Sequence, residues 1–265
     1  MDQQPIVEAE NVTVRYGEHV VLKAVSAAFM PSRITAILGT SGCGKTTLLK
    51  TLLGLITPVS GVVRLFGHTL ADQDSPASVD MLKKAGTLFQ NGALLGSLNI
   101  AENVALPLAM HTALPRDVID EMVHIKLSQV GIPNAAYLFP SELSGGMRKR
   151  AALARALALE PPLLFCDEPS AGLDPVTSAG LDDLLLTLRE SLGITIVVVT
   201  HELLSIERIA DSILFLHEGS VLYSGVQDQA RKAPDGPMHD FFARRELAAP
   251  EAVDETSDFI VENVA

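Results

Sequence analysis

Residues Gly39-Thr40-Ser41-Gly42-Cys43-Gly44-Lys45-Thr46 fit the pattern GxxxxGK[ST] at every fixed position. They follow a β-rich run at 33–38 and precede a helix-forming stretch at 46–55, which is the strand-to-helix context the pattern requires. Glycines in such a loop let backbone N–H groups turn inward around phosphate oxygens, and the helix start adds its positive dipole end. Lys45 is then placed to reach the β- and γ-phosphates of a nucleotide such as ATP. The Thr46 hydroxyl becomes a ligand for Mg²⁺, and Thr47 extends the same set. By itself the pattern implies a P-loop NTPase, a class that includes kinases and GTPases. Cys43 sits inside this loop at a helix N-terminus, where a lowered thiol pKa and ready alkylation are expected. The competing expectation is that its thiol turns inward and fills a small space.

A second constraint lies at 163–168. Leu163-Leu164-Phe165-Cys166 is an apolar strand that ends in two adjacent carboxylates, Asp167 and Glu168. Strand geometry sends neighbouring side chains to opposite sides, so the two need not compete for one task. The first is expected to support Mg²⁺ through its water shell, and the second to orient and deprotonate an attacking water.

The runs LLFC and ITIVVV are apolar on both faces, as central strands covered on both sides must be. Strands are expected at 6–16, 20–25, 33–38, 62–66, 87–89, 163–166, 195–200, 213–216 and 221–223, with a helix at 177–192. From 91 to about 159 the character is helical, with Pro107, Pro115, Pro133 and Pro140 as punctuation. The fold class is therefore α/β. A P-loop NTPase core with a mostly parallel sheet (about 1–90 and 160–245) carries an N-terminal antiparallel β element and a helical insertion (about 91–159). Residues 246–265 form an acidic C-terminal extension.

Of 265 residues 48% are hydrophobic, only 5% are aromatic and none is Trp, so the core must be aliphatic. A net charge of −12 argues against nucleic acid as a partner, since phosphate binding wants a basic surface. No stretch reaches the roughly 18 uninterrupted apolar residues of a membrane helix; 92–110 is broken by Asn99, Glu102 and Asn103. MDQQPIVEAE does not read as a secretory signal. Two cysteines, Cys43 and Cys166, make neither a disulfide framework nor a zinc site, so a reducing cytoplasm is the expected compartment.

Leu143-Ser144-Gly145-Gly146-Met147 opens an Ala-rich helix that Pro161-Pro162 ends. Arg148, Lys149 and Arg150 crowd its first turns, where the helix dipole disfavours cations. That placement is understandable if this end receives an anion.

Here the sequence resembles the ABC ATPases. LSGGM is similar to their signature LSGGQ, with Met147 in place of Gln. Tyr16, Gln90, Asp167-Glu168, the turn from Ser170 to Asp174, and His201 follow in the family's order, a match that runs to about Gly225. The resemblance implies that Tyr16 stacks on adenine, that Gln90 touches Mg²⁺ and the attacking water, and that His201 contacts the γ-phosphate. It implies that Asp174 communicates across a dimer. Ser144, Gly145 and Gly146 would bind the γ-phosphate held by the opposite subunit, so a head-to-tail homodimer around two ATP molecules follows.

The stretch FQNGALLGSLNIAENVALPL, with HTALP and PSEL, is similar to a narrower group, the phospholipid-transport ATPases of the Mla/Mce systems of Gram-negative bacteria. That resemblance implies phospholipid movement between inner and outer membranes. It also implies integral membrane permease subunits, a STAS-domain protein and an Mce-domain lipid-binding protein. The address would be the cytoplasmic face of the inner membrane. The alternatives are import of a polar solute such as an amino acid, and a non-transport ABC ATPase. Leu94 and Leu95, after Gln90, are expected to form a hydrophobic docking surface for the permease.

Overall fold

This computed structural model describes residues 4–70, 75–232 and 234–248. Val7–Tyr16 (β1) and His19–Phe29 (β2) pair antiparallel. Ile34–Gly39 (β3) runs into the phosphate loop and then helix Lys45–Leu52 (α1). Ser60–Leu65 (β4) and the short His68–Thr69 (β5) complete an antiparallel sheet of order β2-β1-β4-β5. This is the expected N-terminal β element. Pro76–Leu82 (α2) and Ala85–Leu88 (β6) follow.

The helical insertion consists of Ile100–His111 (α3), Arg116–Gln129 (α4) and Gly145–Ala156 (α5). Pro115, Pro133 and Pro140 stand at element boundaries, but Pro107 lies inside α3. An Asn99–Glu102 capping box fixes the start of this helix. Its Ile100, Val104 and Leu108 also bury together in the cluster of the insertion.

Leu163–Asp167 (β7), Pro175–Leu192 (α6), Thr195–Val199 (β8), Leu203–Ile209 (α7), Ser212–His217 (β9), Ser220–Val226 (β10), Gln227–Ala230 (α8) and Pro237–Ala248 (α9) complete the chain. α9 thus continues beyond residue 245, and most of the acidic extension lies outside the described residues. The second sheet has the order β10-β9-β3-β8-β7-β6 and is parallel except where β10 pairs with β9.

Period-two alternation explains the all-apolar strands. On β7, Leu164 and Cys166 face the cluster shared with the helical insertion, while Leu163 and Phe165 face the cluster under the antiparallel sheet. On β8, Ile196 and Val198 divide from Val197 and Val199 in the same way. A sheet buried on both sides leaves functional groups only its edges and strand ends. In parallel sheets ligands gather at the carboxyl ends. There, Ile37 of β3 and Asp167 of β7 both register against Val199 of β8, so three loops open at one place. Among the described residues no helix is long and apolar enough to cross a membrane.

Candidate active site

The loop after β3 is shaped by what a side chain would meet. A Cβ at Gly39 would lie 2.1 Å from the backbone oxygen of Leu216, so this strand end admits glycine alone. Lys45 Nζ donates to the carbonyls of Gly39 at 2.9 Å and Thr40 at 3.1 Å, curled over its own loop. The ammonium is thereby held over the loop that would receive phosphate.

Opposite stands the end of β7. Asp167 is its last residue, and Glu168 has φ +46°. The two carboxylates are separated by this left-handed backbone turn and not by strand alternation. Such a conformation is costly for a residue with a Cβ and persists only where its surroundings fix it. Glu168 N donates to Val199 O at 2.8 Å, and Ala171 N donates to Glu168 O at 3.2 Å. His201 Nδ1 lies 2.8 Å from Glu168 Oε1.

Asp167 Oδ1, Glu168 Oε2 and Ser170 Oγ are buried without a hydrogen-bond partner. Two buried, unpartnered carboxylate oxygens beside a phosphate loop are hard donors suited to Mg²⁺ and its waters. Among the described residues no group of three or more His, Cys, Asp or Glu could hold a metal alone. Burial pushes the Asp167 carboxyl above the usual range; Glu168 adds to this, and Lys50, Lys149 and Lys45 oppose it.

A cavity of about 350 Å³ joins these pieces. Gly39, Thr40, Ser41 and Lys45 line one side, and Glu168 and His201 the other. Leu203 and Phe241 complete it, and nothing in the sequence marked either. Larger grooves exist elsewhere, so it is the chemistry of this cavity and not its size that singles it out. Tyr16, Gln90 and Ser144–Gly146 do not line it. Tyr16 is exposed at the end of β1, where nothing prevents stacking.

Ser144 caps α5, its Oγ accepting from Met147 N at 3.2 Å. A Cβ at Gly146 would lie 2.5 Å from Thr177 Cγ2, so the start of α5 sits directly on the start of α6. Asp174 caps α6 by accepting from Val176 N and Thr177 N at 3.0 Å, and the hydrogen bond from the Thr177 side chain holds its carboxyl below the usual range. Signature and turn are therefore packed together, and neither lines the cavity of the same chain.

The expected cluster of free cations is corrected in part: Arg148 is exposed and gives only one donor to Leu143 O, whereas Lys149 is buried and Arg150, half-buried, donates to Val130 O and Gly180 O. Lys149 Nζ donates to Gln90 O and Glu168 O. Backbone carbonyls thus orient all three side chains without neutralising their charge. The Cys43 thiol, expected to be activated, is not. It turns beneath Gly39 into the apolar cluster, and burial pushes its pKa up despite Lys45. Burial pushes Cys166 up to about 12. Leu94 and Leu95 also part company: Leu94 packs against the helical cluster while Leu95 is 45% exposed.

Sequence reasoning missed Arg155 and Asn103. Arg155 donates to Gly92 O and Ala93 O, and the buried Asn103 bonds Leu95, Leu98 and Asn99, so both pin the loop that follows Gln90.

The family model for the ABC transporter matches residues 22–171. The intermembrane phospholipid transport system ATP-binding protein MlaF of Haemophilus influenzae is 38% identical over 88% of this chain and 88% of its own. The probable ribonucleotide transport ATP-binding protein mkl of Mycobacterium tuberculosis is 33% identical over 91% of this chain and 67% of its own. Among solved structures, a dimer of the ATP-binding cassette MJ0796 in a post-hydrolysis state with ADP and Pi superposes with a TM-score of 0.76. It is 32% identical and covers 83% of this chain and 98% of that one. Matched by the family model over more than half its length, and 38% identical to a relative over 88% of both chains, this chain belongs to the ABC transporter family as an ATP-binding subunit.

Proposed function

We propose that this chain is the ATPase of a phospholipid transporter, acting as a head-to-tail homodimer. The observation that carries the catalytic part is the cavity in which Lys45 and the phosphate loop face the Glu168–His201 pair. ATP enters with its phosphates on Gly39–Thr47 and its adenine against Tyr16, and Lys45 exchanges its two carbonyls for phosphate oxygens. Thr46, Asp167 and Gln90 would hold Mg²⁺, which when bound neutralises charge developing on the β- and γ-phosphates. Glu168 takes the proton of the attacking water, and His201 fixes the carboxylate and reaches the γ-phosphate.

Ser144, Gly145 and Gly146 complete the partner's site, since within one chain they do not line this cavity. ATP that binds the closed pair better than the open one drives closure, and hydrolysis releases it. The work is passed to integral membrane permease subunits, in company with a STAS-domain protein and an Mce-domain lipid-binding protein, on the cytoplasmic face of the inner membrane. The similarity to MlaF supports phospholipid as cargo, and the similarity to mkl supports a polar solute as the second reading.

Co-purification in detergent, followed by identification of the attached subunits and of lipid, separates the two. A complex with no Mce-domain subunit and no enriched phospholipid would remove the first reading. For the catalytic part, Glu168→Gln should bind MgATP, trap a dimer visible by size-exclusion chromatography, and lose about 10²–10⁴ in turnover. Near-normal turnover would remove Glu168 from the role of base.

A further inference from the structure

Helix α5 begins with the signature, yet a residue one turn further on reaches into its own subunit's site. Lys149 is 7% exposed. Its Nζ lies 2.5 Å from the carbonyl oxygen of Gln90 and 3.0 Å from that of Glu168. These are the main-chain groups of the proposed base, Glu168, and of Gln90, one of the residues that would hold Mg²⁺. Glu168 holds φ +46°, so its peptide needs external support, and the Lys149 ammonium is one of the groups that supplies it. Gln90 opens the loop in which the carbonyls of Gly92 and Ala93 are held by Arg155 from the same helix. An ammonium has three donors and a flexible stem, so it bridges two carbonyls from different loops as no apolar residue does. Burying one is costly even with Asp167 and Glu168 near enough to favour its charge, which sets this position apart from ordinary core filling.

We propose that Lys149 is a positioning residue that ties the signature helix to the attack geometry of its own subunit, and so links the two ATP sites of the dimer. This rests on the head-to-tail reading above. When Ser144–Gly146 close on the nucleotide of the partner copy, α5 carries the Lys149 ammonium with it. The peptides of Gln90 and Glu168 then move as one unit with the helix. Occupancy of one site thereby sets the alignment of the base in the other.

The test uses the full chain, in its transporter complex where that is obtained, with ATP turnover measured against ATP concentration. Lys149→Met should lower kcat about tenfold to a hundredfold, the cost of displacing a catalytic group by a fraction of an ångström to one ångström. The KM and the nucleotide Kd should stay within about twofold, and the Hill coefficient should fall toward one. Lys149→Arg, which keeps charge and donors, should restore most of kcat and the cooperativity. Lys149→Gln keeps N–H donors for folding but is too short to span both carbonyls. It should retain the wild-type Tm, follow Lys149→Met in kcat, and decide the matter if the Met variant does not fold. A MgATP-trapped Glu168→Gln dimer that Ser144→Arg prevents from forming establishes the head-to-tail reading separately. Given that, a Met or Gln variant with kcat within about twofold of wild type overturns the link. So does a loss shared equally by kcat, Kd and Tm, or failure of both variants to fold, since Lys149 would then be a core cation only.

Discussion

His201 Nδ1 sits 2.8 Å from Glu168 Oε1, while Glu168 Oε2 is buried with no partner at all. One oxygen of the carboxylate is thus held and the other is left to meet a water. The imidazole side chain is 61% exposed, so it can face both the carboxylate and an incoming phosphate. The pair should behave as one unit. His201→Ala should lower turnover about tenfold or more, and the double variant with Glu168→Gln should be no slower than Glu168→Gln alone. Losses that multiply would show that the two act independently.

Both thiols should resist alkylation in the folded protein. The thiolate is the reactive form, and burial pushes both pKa values up, Cys166 to about 12. Cys43 should label first as pH rises, because Lys45 opposes its shift and Cys166 is the more deeply buried. MgATP should protect little, since the Cys43 thiol already faces the apolar cluster. Mass spectrometry that finds Cys43 labelled rapidly at neutral pH, with protection by MgATP, would contradict the inward orientation.

Asp182 gives a pH-dependent prediction away from the site. It is 3% exposed, accepts from Ser205 Oγ at 2.6 Å, and burial pushes its carboxyl up against the opposing Ser205 and Arg208. A carboxyl raised in the native state favours folding while protonated and loses that contribution as pH rises from its ordinary range through its native value. Asp182→Asn keeps an oxygen for Ser205 and cannot ionise. Its Tm should match wild type near about pH 4 and exceed it increasingly toward about pH 8. A gap that shrinks with rising pH would reverse the sign assigned here.

The phosphate loop, Asp167, Glu168 and His201 were legible in the sequence because each is fixed by spacing to a strand end, and a parallel sheet collects its strand ends in one place. The all-apolar strands announced the two-sided burial for the same reason. What stayed hidden depends on backbone carbonyls. Lys149 and Arg155 find partners 59 and 62 residues away, and a carbonyl leaves no mark in a sequence. The Cys43 direction was set by the space under Gly39, and the Phe241 contact by how α9 returns over β9, neither of which is a local pattern.

The last prediction concerns the permease. Asn103 accepts from Leu95 N at 2.8 Å and donates to Leu95 O at 3.1 Å, so the backbone of the loop is fixed from below. That leaves the Leu95 side chain 45% exposed beside Leu94, which packs inward. A groove of about 390 Å³ lined by Phe89, Pro107, His111 and Arg155 adjoins the same loop, whose carbonyls Arg155 holds. A large apolar side chain held out by a rigid loop suits a partner helix better than it suits water. Leu95→Glu should therefore retain the Tm and nucleotide affinity of the wild type but fail to co-purify with the permease. Leu94→Glu should lower stability by about 1–3 kcal/mol, because it drives a charge into the helical cluster. Thermal unfolding with pull-down separates the two variants. If Leu95→Glu assembles normally, docking does not involve this residue, and the contact must be sought along the groove itself.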